Sequence, residues 1–303
     1  MGAFESNMKE TTLELYKERM LKVLVHIQQH LDDELSLEDL ASLAFFSPYH
    51  FHRVFRGMLG ESLKGHIRRL RLERAASRLK QGRKPVTQIA FEAGYETHEA
   101  FTRAFKSMTG CSPSRFRSEK RPLAFAAGGV HYREGKALID FQPAKPGEVM
   151  MNVKLKTMDP MRVAFVRHVG PYDECKTAWD RLCAYLGKEG LLGPTAVFLG
   201  VCHDDPEVTP PEKIRYDACV TVDDDFSPRG EIGVQTLEGG VYACVTHFGP
   251  YDKLGDTYAE IMGEWLPRSG RELRSSPCFE LYMNDPEGTA PEDLVTDIHV
   301  PLK

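Results

Sequence analysis

Glu280 is the residue of this sequence best placed to act through charge. It lies inside Phe279, Glu280, Leu281, Tyr282 and Met283, a run that reads as a half-buried strand. A carboxylate in such a strand needs a partner, either an arginine or a cationic ligand. The chain holds aromatic side chains of the kind that bind cations on their faces: Trp179, Tyr216, Phe248, Tyr258, Trp265 and Tyr282. An acid among such faces suits a lipophilic cation. On an exposed strand face, with the aromatics as ordinary core, the same acid would bind nothing. His168 and His247 recur in matching segments, yet no Cys or carboxylate stands at ligand spacing, so no metal is expected. Neighbouring Cys202 and His203 add no signal. The seven cysteines form no CxxC pair and read as free thiols of a reducing, cytoplasmic compartment. There is no nucleophile elbow, phosphate loop or dinucleotide fingerprint, so no cofactor is expected.

A second set of chemically capable residues is basic and helical. Leu37, Leu40, Ala41 and Ala44 fall at i, i+3, i+4 and i+7, and Val86, Ile89, Ala90 and Ala93 repeat that pattern 49 residues on. After a short break come Phe51, Val54, Phe55 and Met58, matched 50 residues on by Phe101, Ala104, Phe105 and Met108. Each unit is helix, tight turn, helix. Ser36 with Asp39 resembles a capping box, Ser47 is placed to cap the second helix with Pro48 at its first position, and Thr97 does the same in unit two. The outward positions of the second helices are Tyr49, His50, His52, Arg53 and Arg56 in unit one. In unit two they are His98, Glu99, Ala100, Thr102, Arg103 and Lys106. Such side chains suit base edges and phosphates of double-stranded DNA. Glu99 faces negative phosphates poorly, so unit two is expected to hold the backbone more than to read sequence. Between the units, Ser62–Gln81 forms a helix of about 20 residues, roughly 30 Å long, ended by Gly82. That length is close to one DNA turn of about 34 Å, which lets both readers enter successive major grooves on one face.

Charge divides the chain in the same way. Residues 1–121 carry 21 Lys and Arg against 15 Asp and Glu, a net of +6. Residues 122–303 carry 18 against 29, a net of −11. The two halves are therefore expected to face different partners. The composition, 42% hydrophobic and 27% charged over 303 residues, is that of an ordinary globular chain of two domains. No apolar run reaches the length of a membrane span, and the first 18 residues do not read as a secretory signal.

The acidic half has its own repeat. Arg167–Asp173 recurs as Thr246–Asp252, a shift of 79 residues, and both contain Gly-Pro-Tyr-Asp. This element reads as a turn that ends a strand and caps a helix. An apolar strand precedes each copy. A helix (173–187, 252–266) and two strands follow each, 196–202 and 214–222, then 278–283 and 294–300. Strand–helix–strand–strand, twice, predicts an antiparallel sheet backed by helices on one side with a pseudo-two-fold cleft. Aligning the repeats sets Gly200 opposite Glu280, so the acid breaks the symmetry. Residues 119–150, rich in Gly, Pro, Ala and Lys, read as a connector, with room for one strand.

Ser47 to Arg56 with Gly60, and Gly94 to Lys106 with Gly110 to Pro113, resemble the AraC/XylS transcription regulators over residues 15–118. The resemblance implies an all-α domain of seven helices that contacts promoter DNA and recruits RNA polymerase. It maps base-reading positions onto Tyr49, His52 and Arg53, and onto His98, Glu99, Ala100 and Arg103. Phe45 stands where these regulators often have glycine, so a positive φ there would be strained. Glu99 replaces a common neutral amide. Residues 151–303, through the two Gly-Pro-Tyr elements and Pro277, Glu280 and Tyr282, resemble the GyrI-like effector-binding domains, of α+β fold. That resemblance implies a small-molecule cavity with Glu280 as anchor and Tyr282, Trp265, Tyr216, Trp179 and Tyr258 as walls. The expectation is a non-enzymatic regulator, responsive to a small lipophilic cation. Its rivals are a hydrolase using Glu280 and Tyr282, a gyrase-inhibitory protein-binding module, and an unconditional DNA binder.

Overall fold

In the computed structural model the two helical repeats and the two sheet repeats all form. Described are residues 2–303 apart from 83, 121, 123–128, 137 and 144–150, with side chains from residue 12 onward. Seven helices build the basic half: α1 (Gly2–Gln29), α2 (Leu37–Leu43), α3 (Pro48–Leu59), α4 (Leu63–Gln81), α5 (Val86–Glu92), α6 (His98–Thr109) and α7 (Pro113–Glu119). The expected caps are present at α2, where Ser36 Oγ accepts from Asp39 N at 3.1 Å, and at α6, where Thr97 Oγ1 accepts from Ala100 N at 3.1 Å. Ser47 departs from expectation. It stands at the N-cap of α3 without capping it, and its hydroxyl lies 3.4 Å from His50 Nδ1 instead. Phe45 takes a φ of 57°, the left-handed turn that the sequence flagged as strained, and its ring is exposed under the Lys22 ammonium.

The acidic half is one eight-stranded antiparallel sheet. Its strands are β1 (Lys154–Met158), β2 (Met161–Val169), β3 (Phe198–Cys202), β4 (Arg215–Thr221), β5 (Gly233–Leu237), β6 (Gly240–Phe248), β7 (Cys278–Tyr282) and β8 (Val295–Pro301), in the order β1-β6-β8-β7-β3-β4-β2-β5. The repeats meet at β3 and β7, where Gly200 pairs directly with Glu280. Strands β1 and β5 were not expected, and they extend the 79-residue repeat by one strand each. Each pairs across the repeats, β1 with β6 and β5 with β2. Helix α8 (Lys176–Lys188) backs the first repeat through Leu182 and Leu186, packed on Ala218 and Val220. The expected helix 252–266 is not uniform. It runs as α9 (Leu254–Glu260), a π-helical stretch Ile261–Trp265, and a last turn α10 (Leu266–Arg268).

Three cores matter for the site. Phe101, Phe105 and Phe116 close the second helix-turn-helix. Leu182, Leu186, Ala218 and Val220 close the first sheet repeat. The third is continuous between the halves: Tyr16, Met20 and Leu24 of α1 and Phe51 and Phe55 of α3 share one buried cluster with Ile261, Leu266, Ile298 and Val300. The connector joins this core through Val130 and Phe141, with no strand among its described residues. No helix among the described residues is long and apolar enough to cross a membrane.

Candidate functional site

Glu280 sits on the helix-covered face of β7 with 4% of its surface exposed. Its carboxylate accepts three hydrogen bonds: Tyr258 OH at 3.0 Å, Tyr282 OH at 3.0 Å and Cys202 Sγ at 3.3 Å. The chain extends outward from there. Tyr216 OH and Tyr282 OH are 2.8 Å apart, and Trp179 Nε1 donates to Tyr216 OH at 3.1 Å. Gly200 is what makes room. A methyl there would collide with the hydroxyls of both Tyr216 and Tyr282. Burial raises the Tyr216, Tyr258 and Tyr282 phenols and the Cys202 thiol well above their ordinary range, and lifts the Cys278 thiol to about 11. At neutral pH these groups stay protonated, and Tyr258, Tyr282 and Cys202 donate to one carboxylate.

Four of the five expected wall residues therefore gather at Glu280: Tyr216, Tyr282, Tyr258 and Trp179. Trp265 does not. The π-helical stretch turns it toward the core shared between the halves, where it is half-buried. Tyr172 and Tyr251 were missed. Tyr172 meets Tyr216 edge-on, with ring centroids 5.8 Å apart, and Tyr251 meets Tyr282 at 5.5 Å. Both belong to the Gly-Pro-Tyr-Asp elements. The turn that ends each strand thus also delivers an aromatic to the rim of the site, a signal present in the repeat itself. Among the described residues no cluster of His, Cys, Asp or Glu is arranged to hold a metal.

The residues expected to face DNA divide by unit. In α6, Glu99, Arg103 and Lys106 are exposed, and His98, Ala100 and Thr102 are half-buried. In α3 the expectation of an outward face fails for three residues. His50 is 1% exposed, His52 is fully buried and Arg53 is 7% exposed. The reason is the sheet half, which covers that face. Burial brings His50 down to about 3, so it is a neutral ring. Leu63 N–H donates to His52 Nε2 at 3.1 Å, so His52 Nδ1 carries the proton that it gives to Asp205 at 2.8 Å. Arg56 is half-buried and pairs with Glu207 at 3.1 Å and Asp256 at 2.9 Å. Tyr49 meets His203 edge-on at 6.3 Å. The guanidinium of Arg53 lies over the ring of Tyr258, 4.0 Å from its centroid.

The two halves approach to backbone distance at one point. A methyl on Gly57 of α3 would run into Ala259 O and come within 2.7 Å of Gly263 N. A methyl on Gly263 would overlap the Gly57 backbone and come within 2.6 Å of Met58 N. The π-helical widening occurs at this crossing. With α3 so placed, the part of its surface expected to face a major groove lies against the acidic half.

A family model for the GyrI-like small molecule binding domain matches residues 151–303, and one for a helix-turn-helix domain matches 40–119. The right origin-binding protein of Escherichia coli (strain K12) is 32% identical over 301 residues, spanning 93% of this chain and 96% of that one. The chain belongs to the AraC-type helix-turn-helix proteins that carry a GyrI-like domain. It is a DNA-binding transcriptional regulator with an effector-binding half. A probable transcriptional regulator of E. coli (strain K12), YgiV, is 40% identical over 119 residues, 38% of this chain and 74% of that one. Among solved structures, the EcmrR C-terminal domain matches 51% of this chain and 99% of its own, at 21% identity and a TM-score of 0.41.

Proposed function

We propose that the regulator senses a small lipophilic cation at Glu280 and transmits its binding to promoter DNA and, through it, to RNA polymerase. The observation that carries this reading is the buried carboxylate itself. Among the described residues it is ringed by neutral phenol and thiol donors, with no cationic side chain hydrogen-bonded to it. A buried anion in that setting is stabilised by adding a positive charge, and the surrounding aromatic faces add cation–π attraction. Residues 40–119 supply the DNA contacts, from the exposed Arg103 and Lys106 of α6 and from α3 when its face is open.

The test uses the full chain in thermal-shift and calorimetric titrations with tetraphenylphosphonium, neutral triphenylphosphine oxide, and a Glu280→Gln variant. The cation at about 100 times its Kd should add about 2.7 kcal/mol of stability, and the neutral compound far less. Glu280→Gln keeps the shape and loses the preference. Equal binding of cation and neutral compound by both chains overturns the proposal.

A further inference from the structure

A cationic side chain of the helical half reaches the ring of aromatic residues around Glu280. Arg53 projects from α3 onto the face of Tyr258, and the hydroxyl of that same Tyr258 donates to Glu280. A guanidinium is charged at every pH of interest, so a permanent cation sits one ring away from the buried acid. Its Nη1 is buried and has no hydrogen-bond partner among the described residues. An arginine held in this way is paid for by attraction to the π face and the nearby anions rather than by a fork-to-carboxylate pair.

The surroundings of α3 extend the same logic. His52 and Arg56 meet Asp205, Glu207 and Asp256, all contributed by the acidic half. The Gly57–Gly263 crossing then locks the two helices at backbone distance. Residues that a DNA-reading helix would offer to phosphates are here matched to carboxylates, and the cation that the effector site wants is supplied from the same helix.

We infer that Arg53 is a tethered ligand of the effector site, and that a cationic effector with a flat, delocalised head competes with it and thereby releases α3 for DNA. The inference rests on the proposed reading of Glu280 as a cation site. The chemistry selected is that of the resident group: a guanidinium or amidinium carried on an aromatic body. Effector binding and α3 docking exclude one another, so each weakens the other by the same factor.

The experiment compares the full chain with Arg53→Met, which keeps the length of the stem and loses the charge. The probes are phenylguanidinium and its neutral isostere phenylurea. If Arg53 holds the subsite in nine molecules of ten, apparent affinity is reduced to the free fraction, so Arg53→Met gains about tenfold for phenylguanidinium. Phenylurea, which does not use the charge site, should change little. Hydrogen exchange supplies the second readout. With saturating phenylguanidinium, amides of segments 48–59 and 254–266 in the unsubstituted chain should lose protection together. An unchanged or weaker cation affinity in Arg53→Met overturns the inference while the cation site stands. An equal gain for phenylurea also overturns it, since that outcome reports a loosened groove and no competition for charge. Segments that stay protected with the cation bound overturn the coupling. Absence of cation binding by either chain removes the effector reading and this inference with it.

Discussion

Gly263→Ala isolates the contact between the halves with one methyl group. The position has no positive φ, so alanine fits its backbone, and its helical propensity is better by about 1 kcal/mol. That gain is the same whether α3 is docked or free, so it cancels from the docking equilibrium. What remains is steric. The methyl would overlap the backbone of Gly57 and lie 2.6 Å from Met58 N, where about 3.5 Å is the nearest comfortable approach. No flexible side-chain end can give way, because every clashing atom is main chain. Overpacking of this kind costs about 1–3 kcal/mol. Taking about 2 kcal/mol, the ratio of open to docked molecules rises about 30-fold. DNA affinity, limited by the open fraction, rises with it until α3 is mostly free. The assay is fluorescence anisotropy on a duplex enriched from a random library by the Gly263→Ala chain, with both chains measured at one fixed salt concentration, since salt alone changes such affinities greatly. Thermal stability should move little, because the propensity gain and the lost contact oppose each other. A Gly263→Ala chain that binds the duplex no more tightly than the unsubstituted chain would refute the reasoning. In that case α3 is either not held by the contact or not needed on DNA.

Three further outcomes follow from the geometry. Gly200→Ala places a methyl among the Tyr216 and Tyr282 hydroxyls and should cost at least tenfold in tetraphenylphosphonium affinity by calorimetry, with DNA binding through α6 unaffected. Asp217 is buried, which pushes its carboxyl up, but the paired Arg167 at 2.7 and 2.8 Å and His203 at 2.8 Å outweigh burial and bring it down to about 2. A carboxyl depressed in the folded state contributes stability above its unfolded pKa of about 3.9, lost as pH falls toward about 2. Allowing for the exposed side of Arg167, on the order of 1–2 kcal/mol is involved, so Asp217→Asn should flatten the acid limb of the Tm profile between pH 4 and 2. Arg103→Ala should weaken binding to all duplexes alike and lower the salt slope by about 1, as expected of a phosphate contact.

Much of this was legible in one dimension because it is periodic. The 49- and 50-residue offsets gave both helix-turn-helix units, and the 80-residue offset between Asp205-Pro206 and Asp285-Pro286 set Gly200 opposite Glu280, which pair in the sheet. The edge strands escaped although residues 151–156 alternate apolar and polar residues, because the alternation is brief, borders the connector, and belongs to a strand, Lys154–Met158, that is exposed almost throughout. The burial of His50, His52 and Arg53 escaped for a different reason. Periodicity reports which side of a helix is apolar, and says nothing of a charged side covered by matching charge from another part of the chain. Two residues did carry the information. Gly57 and Gly263 each interrupt an otherwise side-chain-rich helix, and a glycine in such a place often marks the close approach of another backbone. The sequence also stated that Glu280 needed an arginine or a cationic ligand. The structure places Arg53 beside it, across a single ring.

The exchange of edge strands has a consequence for how far the halves can part. Helix α7 ends at Glu119 and the next strand, β1, begins at Lys154, yet β1 is stitched to β6, in the same repeat that supplies the docking face for α3. When α3 leaves, it remains on a leash anchored beside its own berth. The roughly 34 intervening residues reach at most about 110–120 Å. Confinement within that radius is an effective concentration of at least about 0.3 mM, whatever the amount of protein in the cell. Re-docking is therefore an encounter within one molecule, and the balance between open and docked α3 is set by the contacts of that chain and not by the amount of protein present.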